Sequence, residues 1–124
     1  MADAKRTVLI VEDDEIILTI LGKGLEKMGW EIISAQSVDE AFRILYERKS
    51  EVTVIVTDLH FHSQRSGLEI ANRMRYFCPV ILCSGGALPE EERLFDGVVE
   101  KPIDIEGLSM VMTKLTANGS GSHG

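Results

Sequence analysis

Thr7-Val-Leu-Ile-Val-Glu-Asp-Asp14 is the stretch whose reading decides the fold. A short apolar run, rich in β-branched residues, continues without alternation and stops at three acids. A strand with one wet face would alternate; an unbroken run reads as a strand covered on both faces, as in a parallel sheet. Outward from it, Ile17, Ile20, Leu21, Leu25 and Met28 recur at helical spacing up to a stop at Gly29. Glu31-Ile-Ile-Ser34 is a second strand. Ser37, with Glu40 at capping-box spacing, opens a helix whose inner face is Val38, Ala41, Phe42 and Leu45.

The pattern then repeats. Thr53-Val-Ile-Val56 is a third buried strand running to Asp58, and Leu68, Ala71, Met74 and Arg75 mark the helix after it. Pro79-Val-Ile-Leu-Cys83 is a fourth strand, Ser84-Gly-Gly a turn, and Pro89-Glu-Glu-Glu92 the acidic first turn of a short helix. Gly97-Val-Val99 is a short fifth strand. Asp104 caps a last helix facing inward with Leu108, Val111, Met112 and Leu115. Five strand–helix alternations predict a three-layer α/β/α sandwich around a five-stranded parallel sheet. The domain spans 7–117, after a lead at 1–6 and before a Gly/Ser-rich tail at 118–124 that reads as disordered.

A length of 124 residues suits one domain. Thirteen Lys and Arg against 20 Asp and Glu give a formal charge of −7, which argues against nucleic acid as a direct partner. With 44% apolar and 27% charged residues the chain is too apolar for a disordered one, and no apolar run approaches a membrane span. Cys78 and Cys83 have neither disulfide density nor metal-ligand spacing and read as buried small residues. Trp30 and Met28 fall at core edges. These features fit a cytoplasmic domain.

In such a sheet the chemistry lies at the carboxyl ends of the strands. Glu12 and Asp13 follow the first strand, Asp58 ends the third, Ser84 follows the fourth, and Lys101 with Pro102 follows the fifth. Acids gathered without neutralisation repel, so the set calls for a divalent cation, and Mg²⁺ is the natural oxygen-liking one. Lys101 adds a positive charge and Ser84 a hydroxyl. Together they suit a phosphoryl group. No histidine or cysteine is placed there with an activating base, so the acceptor is a carboxylate, and Asp58 is the best placed. Asp14 reads as a helix cap. His60 and His62 lack a third ligand for a transition metal and read as loop residues.

The motifs Val8-Leu-Ile-Val-Glu-Asp-Asp14, Val54-Ile-Val-Thr-Asp-Leu59, Ser66-Gly-Leu-Glu69, Ile81-Leu-Cys-Ser-Gly85 and Val98-Val-Glu-Lys-Pro102 resemble the receiver domain of bacterial two-component response regulators. The resemblance implies a (βα)5 flavodoxin-like topology. It also implies Mg²⁺ held by Glu12, Asp13, Asp58 and the backbone carbonyl of His60. Asp58 would be the phosphoacceptor, Ser84 would bind a phosphoryl oxygen and Lys101 would pair with its charge. The Lys101–Pro102 bond resembles one the family holds in cis. A sensor histidine kinase or a histidine phosphotransfer protein would be the donor, homodimerisation stays open, and catalysis would be limited to the domain's own phosphorylation and dephosphorylation.

Three departures stand out. Val98 sits three before Lys101, where receivers carry a switching Tyr or Phe. The loop from Asp58 to Gly67 lacks the usual Met-Pro and is slightly longer. Ser84 and Lys101 are only 17 positions apart, so the fourth helix is short or irregular. Loss of the aromatic and the short helix favour an alternative, a receiver-like interaction scaffold that is not phosphorylated; the intact acidic, Ser and Lys set opposes it. An aspartate-nucleophile phosphatase would need an acid where His60 stands. A flavin carrier would need a hydroxyl-rich loop where this chain is acidic.

Overall fold

A computed structural model describes residues 6–122, with side chains as far as Ala117. The elements are β1 (Thr7–Val11), α1 (Glu15–Lys27), β2 (Glu31–Ala35), α2 (Val38–Arg48), a 3-10 turn (Lys49–Glu51), β3 (Val54–Asp58), α3 (Gly67–Met74), β4 (Val80–Ser84), α4 (Pro89–Glu92), β5 (Gly97–Glu100) and α5 (Ile105–Ser122). The strands form one sheet in the order β2-β1-β3-β4-β5, every neighbouring pair parallel. The three central strands, β1, β3 and β4, are buried at all positions, as their unbroken apolar runs require.

Two apolar clusters, one on each face of the sheet, hold the layers together. Leu18, Leu21 and Leu25 of α1 pack with Leu108 and Met112 of α5 against Val8, Ile10, Val54, Val56 and Ile81. On the other face, Val38, Ala41 and Leu45 of α2 meet Ile70, Ala71 and Met74 of α3 over Leu9, Val11, Ile55 and Leu82. Strand order reverses between β1 and β3, because the chain goes one way to β2 and the other way to β3, β4 and β5. Crossovers that diverge there open a crevice at the strands' carboxyl ends.

Local signals explain most element boundaries. Asp14 caps α1, its Oδ1 accepting from the N–H groups of Ile16 and Ile17 at 2.9 and 3.1 Å. Gly29 ends that helix at φ +98°, a conformation that β-carbon-bearing residues avoid. Ser37 Oγ accepts from Glu40 N–H at 3.0 Å, but the Glu40 carboxylate reaches Gln36 N–H rather than closing a box on Ser37. The reciprocal box is on α3, between Ser66 and Glu69. As the spacing from Ser84 to Lys101 requires, α4 is a single turn, and it buries nothing.

Two expectations about the core are corrected. The inner face of α1 is Leu18, Leu21 and Leu25; Ile16 is 72% and Ile20 58% exposed, with Ile17 and Met28 also at the surface. Both stripes have helical spacing, and only the sheet's position chooses between them. Trp30 lies within the core rather than at its edge, its indole N–H donating to Ser109 Oγ at 3.1 Å beneath the Arg6 guanidinium. Arg6, assigned to the lead, is tied into the fold by its carbonyl, which accepts from Glu31 N–H at 2.8 Å. The backbone of α5 runs to Ser122, into the stretch read as a tail. The remainder of the tail and of the lead lies outside the described residues. Among those residues no helix is long and apolar enough to cross a membrane.

Candidate functional site

Register places the acids. Val11 of β1 pairs with Thr57 of β3, so Glu12 and Asp58 leave their strands side by side at the switch point. Asp58 pairs across β3–β4 with Cys83, and Ser84 pairs across β4–β5 with Glu100, which puts Lys101 at the same end of the sheet. Glu12, Asp13 and Asp58 each offer an oxygen within 4.8 Å of the others. The Lys101 Nζ lies 2.6 Å from Asp58 Oδ1. A cavity of about 200 Å³ opens here, lined by Asp58, His60, Cys83, Gly85, Gly86 and Lys101 among others.

Glu12 and Asp58 are buried, and the electrostatics register the crowding. Burial, and then a hydrogen bond shared with Asp58, push the Glu12 carboxyl up to about 7, against the pull of a bond from Asp14 N–H at 3.0 Å. Burial also works against the Lys101 ammonium, but its hydrogen bond to Asp58 and that carboxylate's charge prevail and hold its pKa above the usual lysine value. A cluster of acids in which one resists ionisation is a cluster short of positive charge. The donor set is oxygen only, which fits Mg²⁺ and disfavours softer transition metals.

Ser84 is buried at the end of β4, with its Oγ accepting from the N–H groups of Gly86 and Ala87 at 3.3 and 3.0 Å. Both contacts use lone pairs, so the hydroxyl proton is left to donate elsewhere. His60 lines the cavity and forms an isolated antiparallel bridge with Ser66. The Lys101–Pro102 bond is cis. Val98 is half-buried against the α2–α3 cluster. Cys83 is beside the site, yet burial first and the charge of Asp58 second push its thiol up to about 12; burial alone does most of the same for Cys78.

Two functional contributions were not visible in sequence reasoning. A β-carbon on Gly67 would stand 2.1 Å from the carbonyl oxygen of Asp58, so the first residue of α3 must be glycine for the Asp58 backbone to lie where it does. The glycine stood in a quoted motif, but nothing there revealed what it avoids. His62, read as a plain loop residue, donates its backbone N–H to Asp13 Oδ2 at 2.9 Å, and its imidazole Nδ1 lies 2.7 Å from the same oxygen. No local spacing links positions 49 residues apart.

A family profile described as "Response regulator receiver domain" matches residues 8–112. The photosynthetic apparatus regulatory protein RegA of Cereibacter sphaeroides is 32% identical over 82 residues, covering 66% of this chain and 45% of that one. The chain spans less than half the length of the curated relatives it matches. Among solved structures, a CheY-like receiver domain protein from Methanospirillum hungatei superimposes with a TM-score of 0.85 at 20% identity, over 96% of this chain and 99% of that one. The receiver domain of Ssk1 from Saccharomyces cerevisiae, crystallised with the histidine phosphotransfer signaling protein Ypd1, gives 0.80 at 23% identity, over 96% and 94%. At these identities the two structures speak for the fold.

Proposed function

The chain belongs to the response regulator receiver domain family of two-component systems, and on that premise we propose that it is a phosphoacceptor switch whose acceptor is Asp58. The observation that carries the reading is the setting of that carboxylate, in ion-pair contact with Lys101 and within 4.8 Å of Glu12 and Asp13 oxygens. Glu12, Asp13, Asp58 and the His60 carbonyl would hold Mg²⁺. The cation supplies charge neutralisation: with Lys101 it balances three carboxylates and admits an anionic phosphoryl group.

The rest follows from the chain's own groups. A carboxylate oxygen of Asp58 attacks phosphorus, the donor's bond to phosphorus breaks with its electron pair leaving on the donor, and an acyl phosphate forms. For a phosphohistidine donor the leaving pair stays on an imidazole nitrogen. Lys101 is placed to pass from the carboxylate to the new phosphoryl charge, and Ser84 has a hydroxyl proton to donate to a phosphoryl oxygen. Such a domain catalyses no turnover beyond its own phosphorylation and dephosphorylation.

A sensor histidine kinase or a histidine phosphotransfer protein is the donor class, as Ypd1 is the partner crystallised with the Ssk1 receiver. Support comes from an apolar groove of about 240 Å³ beside Lys101, lined by Ile17, Ile20, Leu21, Pro102, Ile103 and Ile105. Apolar rims of this kind seat amphipathic helices. The formal charge of −7 opposes nucleic acid and anionic membrane surfaces as partners, and we place the domain in the cytoplasm with the kinases that would supply it.

Intact mass after incubation with acetyl phosphate and Mg²⁺ tests the reading. One added phosphoryl group is expected, absent from Asp58→Asn and absent with a chelator. No adduct, together with failure to form a beryllium fluoride complex, would favour the unphosphorylated scaffold, to which Val98 and the single-turn α4 already lend weight.

A further inference from the structure

Residues 59–66 connect the acceptor strand to α3 and arch over the acidic cluster. The arch is braced at its base by the His60–Ser66 bridge and by Arg65, whose Nε reaches both Glu69 oxygens at 2.8 and 2.9 Å and whose guanidinium also pairs with Asp39. Its tip ends on Asp13. The His62 backbone N–H donates to Asp13 Oδ2 at 2.9 Å, and its imidazole Nδ1 lies 2.7 Å from the same oxygen.

We propose that His62 is a positioning residue for the cation site: its backbone N–H and imidazole, both against Asp13 Oδ2, fix the carboxylate plane and leave the other carboxylate oxygen to the metal. The inference rests on the reading of Glu12, Asp13 and Asp58 as that site. As a contribution to stability the contact is negligible, because the His62 side chain is 93% exposed and exposed pairs are worth little. Its effect lies in orientation. Asp13 is 18% exposed at the mouth of the cluster, with one rotatable bond between its carboxylate and the Cβ, and a ligand held in advance spares the ion the cost of ordering it. The imidazole also needs no metal of its own to be useful, which accounts for a histidine in a site of oxygen ligands.

Calorimetric titration with Mg²⁺ alone tests this on the full chain, comparing the natural protein with His62→Ala and His62→Asn. The alanine variant keeps the backbone bond and loses the imidazole, so its affinity should fall by about 10-fold, the low end of the range for groups that orient metal ligands. Asparagine carries an amide nitrogen close to the place of Nδ1 and should recover most of that loss, which a role in general stability would not produce. The Mg²⁺ concentration for half-maximal labelling by acetyl phosphate should rise in step with the dissociation constant. Equal affinity in the natural protein and His62→Ala, or an asparagine variant as weak as alanine, overturns the proposal. Absence of any Mg²⁺ binding by the natural protein overturns the site itself, and the two failures are distinct.

Discussion

Glu12 stands where three requirements meet: it closes a buried strand, accepts from Asp14 N–H and faces Asp58. Its carboxyl, raised from 4.5 to about 7, binds a proton in the folded state that the unfolded chain has already released. Metal-free stability is therefore unimpaired below the unfolded value and declines as pH climbs towards 7. The thermal midpoint measured in chelator should fall across that window, and Glu12→Gln should flatten the fall. Added Mg²⁺ should raise the midpoint more at neutral pH than at pH 5. Gly67 makes a second demand at this scale. Gly67→Ala forces Asp58's carbonyl or the start of α3 to move, and about 1–3 kcal/mol should be lost in urea unfolding, with slower labelling by acetyl phosphate.

Among the elements, strands were the easiest to read, because β1, β3 and β4 are covered on both faces and their unbroken runs state it. Helix faces were harder. With Ile16, Ile17 and Ile20 as well as Leu18, Leu21 and Leu25, α1 is apolar over much of its girth, and periodicity cannot say which stripe meets the sheet. Denaturation can. Leu21→Ala should cost about 2–4 kcal/mol, whereas Ile20→Gln, at a 58% exposed position, should stay within about 0.5 kcal/mol while weakening any partner seated in the adjoining groove. On β4, the Cys83 thiol at about 12, like that of Cys78, is almost wholly protonated at pH 8. Iodoacetamide should leave both unlabelled until urea is added.

At the level of the whole molecule, the candidate site was legible as a set of residues and not in the contacts that hold them. Acids, hydroxyl and lysine at successive strand ends could be collected from the sequence because a parallel sheet leaves them nowhere else to gather. Contacts that depend on tertiary placement could not: His62 with Asp13, Trp30 with Ser109, and Arg6 with Thr113 join residues with no local relation. Metal binding should be felt by the entire fold, since an ion that binds only the folded state stabilises it by about 2.7 kcal/mol at one hundred times its dissociation constant.

The segment that follows Ser84 is a poor lever. Gly85 and Gly86 lead into it, the second at φ +132° with open space around its α-carbon, and the single turn beyond buries no side chain. A long helix would carry a displacement to a distant face; here the chain returns to the core within a few residues, at Leu94 and Phe95. A phosphoryl group pulling on Ser84 would thus act first on the Gly86 and Ala87 N–H groups that its oxygen holds. A receiving protein would have to read that shift at the rim of the crevice, where Gly85, Gly86 and Ala87 line it.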